Sequence, residues 1–160
     1  NEGVSYGSQP SNGATWKRIF CEEVFPNLSK KEKARLHFLG RIPYEKYLSL
    51  LQVSTVHVYL TYPFVLSWSL LEAMSVGCTI VASDTPPVTE VIADNVTGKL
   101  FNFFSCKELA SKVTNLIENP EERARLGIAA RNFAKDNYDL KKVCLPRQLK
   151  WIKELNNKSV

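Results

Sequence analysis

Glu72 is set in the apolar run Leu70-Leu71-Glu72-Ala73-Met74, shortly after Ser67 and before Gly77 and the strand-like stretch Thr79 to Ala82. A carboxylate on such a helix can accept hydrogen bonds from two neighbouring hydroxyls, the arrangement a ribose diol presents. Ser67 fits the N-cap of the helix, and a helix N-terminus favours anionic groups through its free N–H donors and its dipole. The strand ends in Ser83-Asp84-Thr85-Pro86-Pro87, a second loop, with Glu90 expected to open the next helix. In a parallel α/β sheet, loops leaving the carboxyl ends of strands form the ligand crevice.

Other chemistries find less support. The sequence holds no Walker loop, no nucleophile elbow and no metal-ligand cluster, so no metal is implied and no catalytic residue is assigned. His57 falls within an expected strand, where a packed, hydrogen-bonded histidine is the simpler reading, and His37 is similar. Cys21, Cys78, Cys106 and Cys144 form no C-x-x-C pair and read as reduced thiols packed as small hydrophobes. The net charge of +5 gathers partly in Lys141, Lys142, Arg147, Lys150 and Lys153. No nucleic-acid motif accompanies them, so nucleic acid is not an expected partner and a solvated helix face is the plain reading. Peripheral contact with anionic lipid is the other use of such a cluster.

The elements that must position Glu72 follow from periodicity and punctuation. With 160 residues, 44% of them hydrophobic, the chain can bury one core, and no apolar run reaches the length of a membrane span. Residues 1–15 are rich in Gly, Ser, Asn and Pro and read as a loop. A helix is expected over 16–25, a strand over 36–39, and a helix opened by Pro43 at its first position, with Tyr47, Leu48, Leu50 and Leu51 inward. A strand over 55–60, the Glu72 helix over 68–76, a strand over 79–82, a helix over 87–93 and a strand over 99–101 come next. Ser105 and Glu108 form a capping-box pair before a helix burying Leu109, Val113, Leu116 and Ile117. Another helix starts at Pro120, and the last stretch, from Tyr138, should bend at Pro146. Alternating strands and helices require an α/β fold, a Rossmann-like parallel sheet with helices on both faces.

The segment Tyr62 to Ile92 also resembles a known family. Leu71-Glu72-Ala73-Met74, Gly77, Val81-Ala82-Ser83 and Glu90-Val91-Ile92 match the pattern of the C-terminal, donor-binding half of retaining GT-B glycosyltransferases of the family four group. Val96-Thr97-Gly98-Lys99-Leu100 continues the match, and His37-Phe38-Leu39-Gly40 and Val58-Tyr59-Leu60 fit the two preceding strands. The resemblance implies a nucleoside diphosphate sugar as donor substrate, uridine diphosphate ahead of guanosine diphosphate, with no cofactor. It implies ribose contact at Glu72, sugar and diphosphate contact along Phe64, Val65, Leu66 and Ser67, and nucleobase contact at Arg41 and Ile42. Glu90 could also touch the donor. The acceptor would be a sugar, a lipid-linked molecule or a glycan.

One departure concerns catalysis. The family has a second glutamate upstream of the ribose glutamate with seven residues between the two, and here that position is Phe64. A non-catalytic nucleotide-binding or scaffold module is therefore the alternative reading. The family's sheet order resembles 3-2-1-4-5-6, and the four expected strands correspond to the third through sixth. Residues 1–34 then read as a loop and helix remnant and 35–160 as a partial donor domain. That makes the chain a fragment of a longer cytoplasmic protein, with an acceptor domain preceding it and possible contact with the inner membrane face.

Overall fold

The computed structural model describes residue 10, residues 13–62 and residues 65–158. The chain divides into two units, Asn1–Ile42 and Pro43–Val160. In the first unit, α1 (Trp16–Val24) begins where the Thr15 hydroxyl accepts the Arg18 amide at 3.2 Å. A 3₁₀ turn, Phe25–Asn27, leads to the short α2 (Lys30–Lys33). A reciprocal capping box starts α2: Ser29 Oγ accepts the Glu32 amide and the Glu32 carboxylate accepts the Ser29 amide. Phe20, Phe25 and Phe38 pack edge-on or tilted, with the Lys17 ammonium 5.1 Å above the Phe38 ring.

The strand expected over 36–39 is absent from the ladders among the described residues: Leu36 to Gly40 has no regular hydrogen-bonding pattern. A strand exists only through a partner, and the 3-2-1-4-5-6 order puts two strands between the third and the fourth. Among the described residues no strand is paired with Leu36–Leu39.

The second unit is built on β1 (His57–Tyr59), β2 (Ile80–Ser83) and β3 (Lys99–Phe101). They pair in parallel in the order β1-β2-β3, Val58 opposite Val81 and Ala82 opposite Leu100. Five helices connect or flank them: α3 (Tyr44–Val53), α4 (Trp68–Val76), the short α5 (Pro86–Thr89), α6 (Cys106–Glu118) and α7 (Pro120–Tyr138). Five π-helical residues, Leu140–Cys144, then lead into α8 (Leu145–Lys158). Pro146, where a bend was expected, is the second residue of α8, directly after these π-helical residues.

Strand alternation divides the core. Ile80 and Ala82 join Tyr59, Leu70, Ala73, Met74, Val88 and Ile92 on one face, while Val81 joins Phe101, Leu116 and Leu126 on the other. Helices therefore cover both faces, as the period-two pattern of β2 demands. Pro43 caps α3 from outside rather than occupying its first turn, and Leu50 and Ile117 are exposed instead of inward. Ser105 Oγ accepts the Glu108 amide, but the Glu108 carboxylate reaches the Asn102 amide, so only half of the expected capping box forms.

Gly98 explains the turn before β3. A β carbon there would lie 3.1 Å from both Ile80 O and Ile92 Cγ2, so the backbone passes tight against β2. Asn95 takes a positive φ of 59° in the same turn, a conformation asparagine tolerates.

Candidate functional site

Parallel strands followed by returning helices place the N-termini of α3 and α4 at the carboxyl end of the sheet, together with the loops after β1 and β2. Ser67 caps α4: its Oγ accepts the Ser69 amide at 3.3 Å and meets Ser69 Oγ at 2.9 Å. The Ser67 amide donates to the buried Tyr59 hydroxyl at 3.2 Å, tying the loop to the end of β1. Gly77 ends the helix in the left-handed conformation, φ 84°, that glycine adopts without strain.

The two loops are bound to each other. Ser83, fully buried, donates from Oγ to the Thr61 carbonyl at 2.8 Å and accepts the Thr61 amide at 3.1 Å. Thr85 Oγ1 donates to the same carbonyl at 3.3 Å. Beyond them Tyr62, Phe103 and Phe104 form an aromatic cluster with ring centroids 5.1–5.6 Å apart.

Glu72 lies half-buried on α4, one turn below the N-terminus, where the Tyr44 hydroxyl from the start of α3 donates to its Oε1 at 3.0 Å. That bond raises the Tyr44 pKa above the ordinary phenol value. Tyr47, one turn further along α3, has its hydroxyl buried and without a hydrogen-bond partner among the described residues. Burial and, after it, the Glu72 charge hold its pKa up as well. The sequence placed Tyr47 on the inward face of this helix but assigned neither tyrosine to the site. The signal was the rule that a helix leading into a parallel strand starts at the crevice end of the sheet.

The remaining expected positions are dispersed. Val65 is exposed, and Leu66 lines an apolar cavity of about 380 Å³ with Trp68, Leu71, Tyr138, Leu140, Cys144 and Gln148. Phe64 lies outside the described residues. Arg41 (exposed) and Ile42 (half-buried) close the first unit, after Gly40 at φ 62°. Glu90 does not open a helix: it is the C-cap of α5, because the two prolines start that helix earlier and it lasts a single turn. Helix N-terminal stabilisation therefore does not account for it. His57 begins β1 rather than standing mid-strand, and burial lowers its pKa. Of the cysteines, only Cys78 is fully buried, donating to Leu51 O at 3.0 Å; Cys106 is exposed as the first residue of α6, contrary to the packed reading. Among the described residues no cluster of metal ligands occurs, and no helix is long and apolar enough to cross a membrane.

The model of the glycosyl transferases group 1 family matches residues 23–133. The chain belongs to the glycosyl transferases group 1 family. An uncharacterized glycosyltransferase of Methanocaldococcus jannaschii is 35% identical over 108 residues, which is 67% of this chain and 28% of that relative. Three solved members of the fold superimpose well. Sucrose-phosphate synthase of Thermosynechococcus elongatus aligns with a TM-score of 0.72 at 20% identity, over 94% of this chain and 38% of its own. HepE of Anabaena, in complex with UDP, gives 0.71 at 20%, over 88% and 38%. The C-terminal domain of the group 1 protein LpcC of Francisella tularensis gives 0.65 at 21%, over 80% and 67%. The chain thus spans less than a third of the curated relative. Its parallel sheet and flanking helices are those of the C-terminal domain of GT-B glycosyltransferases. Within this group 1 member, Glu72 occupies the crevice end of the fold and Phe64 marks the departure from the family's paired glutamates.

Proposed function

We propose that the chain is the donor-binding half of a glycosyltransferase. It binds a nucleoside diphosphate sugar, uridine diphosphate ahead of guanosine diphosphate, and acts with a preceding domain of the same protein that brings a sugar, glycan or lipid-linked acceptor. Transfer proceeds with retention of the anomeric configuration, and no cofactor or metal takes part. The observation that carries this reading is the placement of Glu72, ionisable and half-buried, between the N-termini of α3 and α4 at the carboxyl end of the sheet. Its carboxylate accepts from the ribose diol. The positive end of the α4 dipole, next to Val65, Leu66 and Ser67, faces the diphosphate and stabilises it as it leaves. The complexes of HepE with UDP and with UDP-glucose lend the reading support by analogy of fold. Arg41 and Ile42 border the base in this scheme, and Glu90 is a weaker donor contact.

Titration calorimetry of the full-length protein with uridine and guanosine diphosphates tests it. Glu72→Ala should weaken binding by roughly ten- to a hundred-fold, the value of a charge-assisted hydrogen-bond pair, with the fold intact. Unchanged affinity in a folded variant removes Glu72 from the site.

Phe64 favours a second reading, a nucleotide-binding module without transfer chemistry. A protein that binds donor tightly yet neither hydrolyses nor transfers the sugar would establish it.

We further propose a cytoplasmic location with α8 resting on anionic membrane. Leu145, Leu149 and Ile152 share one exposed face of α8, Lys153 borders it, and Arg147, Lys150 and Trp151 lie on the other side.

A further inference from the structure

Glutamate has three rotatable side-chain bonds, so a half-exposed Glu72 would lose rotamer freedom each time it engaged a ligand. The structure limits that freedom from the α3 side. Tyr44 donates to Oε1 at 3.0 Å, and its ring packs against that of Tyr47 with centroids 6.1 Å apart. Tyr47 carries a buried hydroxyl with no hydrogen-bond partner among the described residues, a state buried polar groups rarely keep. A carboxylate offers about four acceptor positions on its two oxygens. Two phenols from one side therefore leave acceptor sites on the other side for two ligand hydroxyls. Both phenols are held protonated, Tyr44 chiefly by its bond to Glu72 and Tyr47 chiefly by burial, so both act as donors at neutral pH.

We infer that Tyr44 and Tyr47 are positioning residues for Glu72, fixing its carboxylate so that the site distinguishes a ribose from a deoxyribose nucleotide. Tyr44 holds the exposed side of the carboxylate. The Tyr47 hydroxyl gains its missing partner when Glu72 turns to meet the diol. The inference rests on the proposed nucleotide-binding role of Glu72 and adds two residues from another helix. Neither tyrosine touches the ligand; both act through Glu72.

The test compares affinity of the full-length protein for uridine diphosphate and 2′-deoxyuridine diphosphate, and for the corresponding guanosine pair. The wild-type protein should prefer the ribose form by about ten-fold or more, and Glu72→Ala should erase that preference. Tyr44→Phe and Tyr47→Phe should each reduce the preference at least three-fold while leaving affinity for the deoxy form unchanged. A general loosening of the fold would weaken both forms alike. Tyr44 is mostly exposed, so its phenylalanine variant keeps the core and remains informative if the Tyr47 variant folds poorly. A preference lost in Glu72→Ala but retained in both tyrosine variants overturns this inference and leaves the nucleotide site standing. A preference that survives Glu72→Ala, or absence of nucleotide binding altogether, overturns both.

Discussion

Gly127 on α7 faces the carbonyl of Gly77 so closely that a β carbon on Gly127 would lie 2.5 Å from that oxygen. The contact joins the C-terminal end of α4 to the middle of α7 and sets how deeply both helices sit on the sheet. The atom in the way is backbone and is fixed by the left-handed turn at Gly77, so it cannot rotate aside.

Gly127→Ala should therefore destabilise the protein despite alanine's higher helix propensity, worth about 1 kcal/mol. Overpacking costs roughly 1–3 kcal/mol; a contact with fixed backbone belongs at the upper end, leaving a net loss of about 2 kcal/mol and a fall of about 2–4 °C in Tm per kcal/mol for a domain of this size. Thermal unfolding followed by circular dichroism measures it. An unchanged or raised Tm would show that α7 can slide away from α4 at little cost.

The four thiols should separate by reactivity. Cys78 is buried, donates to Leu51 O, and has its pKa pushed up to about 11 by burial. At neutral pH it holds almost no thiolate, the reactive form. Cys106 is exposed. Labelling with a maleimide at pH 7.5, followed by peptide mass mapping, should modify Cys106 first and Cys78 only in denaturant. Early labelling of Cys78 would mean that the β2 end of the core opens readily.

His57 gives stability a pH dependence near neutrality. Burial lowers its folded-state pKa below 6.5. Between those two values the unfolded chain binds the proton and the folded chain does not, so stability falls as pH drops through this window. The contribution is complete above about pH 7 and lost once pH passes below the folded value. Glu32 and Glu108, both with lowered carboxyl pKa, act only below 4.5 and do not overlap. Melting at pH 7.5 and 5.5 should show a drop that His57→Gln removes. A drop of equal size in the variant would assign the dependence elsewhere.

How much of this was legible in sequence depended on whether the cause was local. The α4 boundaries were readable because Ser67 and Gly77 cap it chemically, and β3 because Gly98 and Asn95 force the turn before it. The Ser29–Glu32 capping box was equally local, a serine three residues before a glutamate, yet no helix was expected there. Leu36–Leu39 misled because β-branched or apolar content cannot say whether a partner strand lies beside it. The Glu108 carboxylate went to Asn102 because a loop amide was nearer than its own N-cap. Glu72 was visible as a candidate, but Tyr44 lies 28 residues away in sequence, and only packing of α3 on α4 brings them together. The role of Phe64 rests on the family pattern alone.

The proposed lipid contact of α8 predicts salt-sensitive binding. Co-sedimentation should capture the protein on vesicles containing phosphatidylglycerol and not on phosphatidylcholine alone. Each of Arg147, Lys150 and Lys153 should contribute about 1 kcal/mol near the surface. Replacing Leu149, exposed on the apolar face of α8, with serine should weaken capture further. Equal capture on neutral vesicles, or none on anionic ones, removes the membrane from the account of α8.

Ser83 is the buried link between the two crevice loops, and its removal tests whether they act as one unit. In Ser83→Ala the Thr61 amide loses its acceptor, while the Thr61 carbonyl keeps only the longer bond from Thr85 Oγ1 at 3.3 Å. Leaving a buried backbone donor unpaired costs about 1–3 kcal/mol; the part-buried Thr61 amide lies at the lower end of that range and can lower the cost by opening to water. Two signatures should therefore appear together: a lower Tm, and faster hydrogen exchange at the Thr61 amide than at amides within β2. Because Thr61 leads towards Ser67 and the start of α4, nucleotide affinity should fall as well, through loss of loop order rather than of a ligand contact. Ser83→Thr keeps the hydroxyl but adds a methyl group to a fully enclosed position. It should retain the slow exchange at Thr61 even while strain lowers Tm. Unaltered exchange at Thr61 in the alanine variant would show that the loop after β1 is held by other contacts, and that the Ser83 hydroxyl is incidental to the crevice.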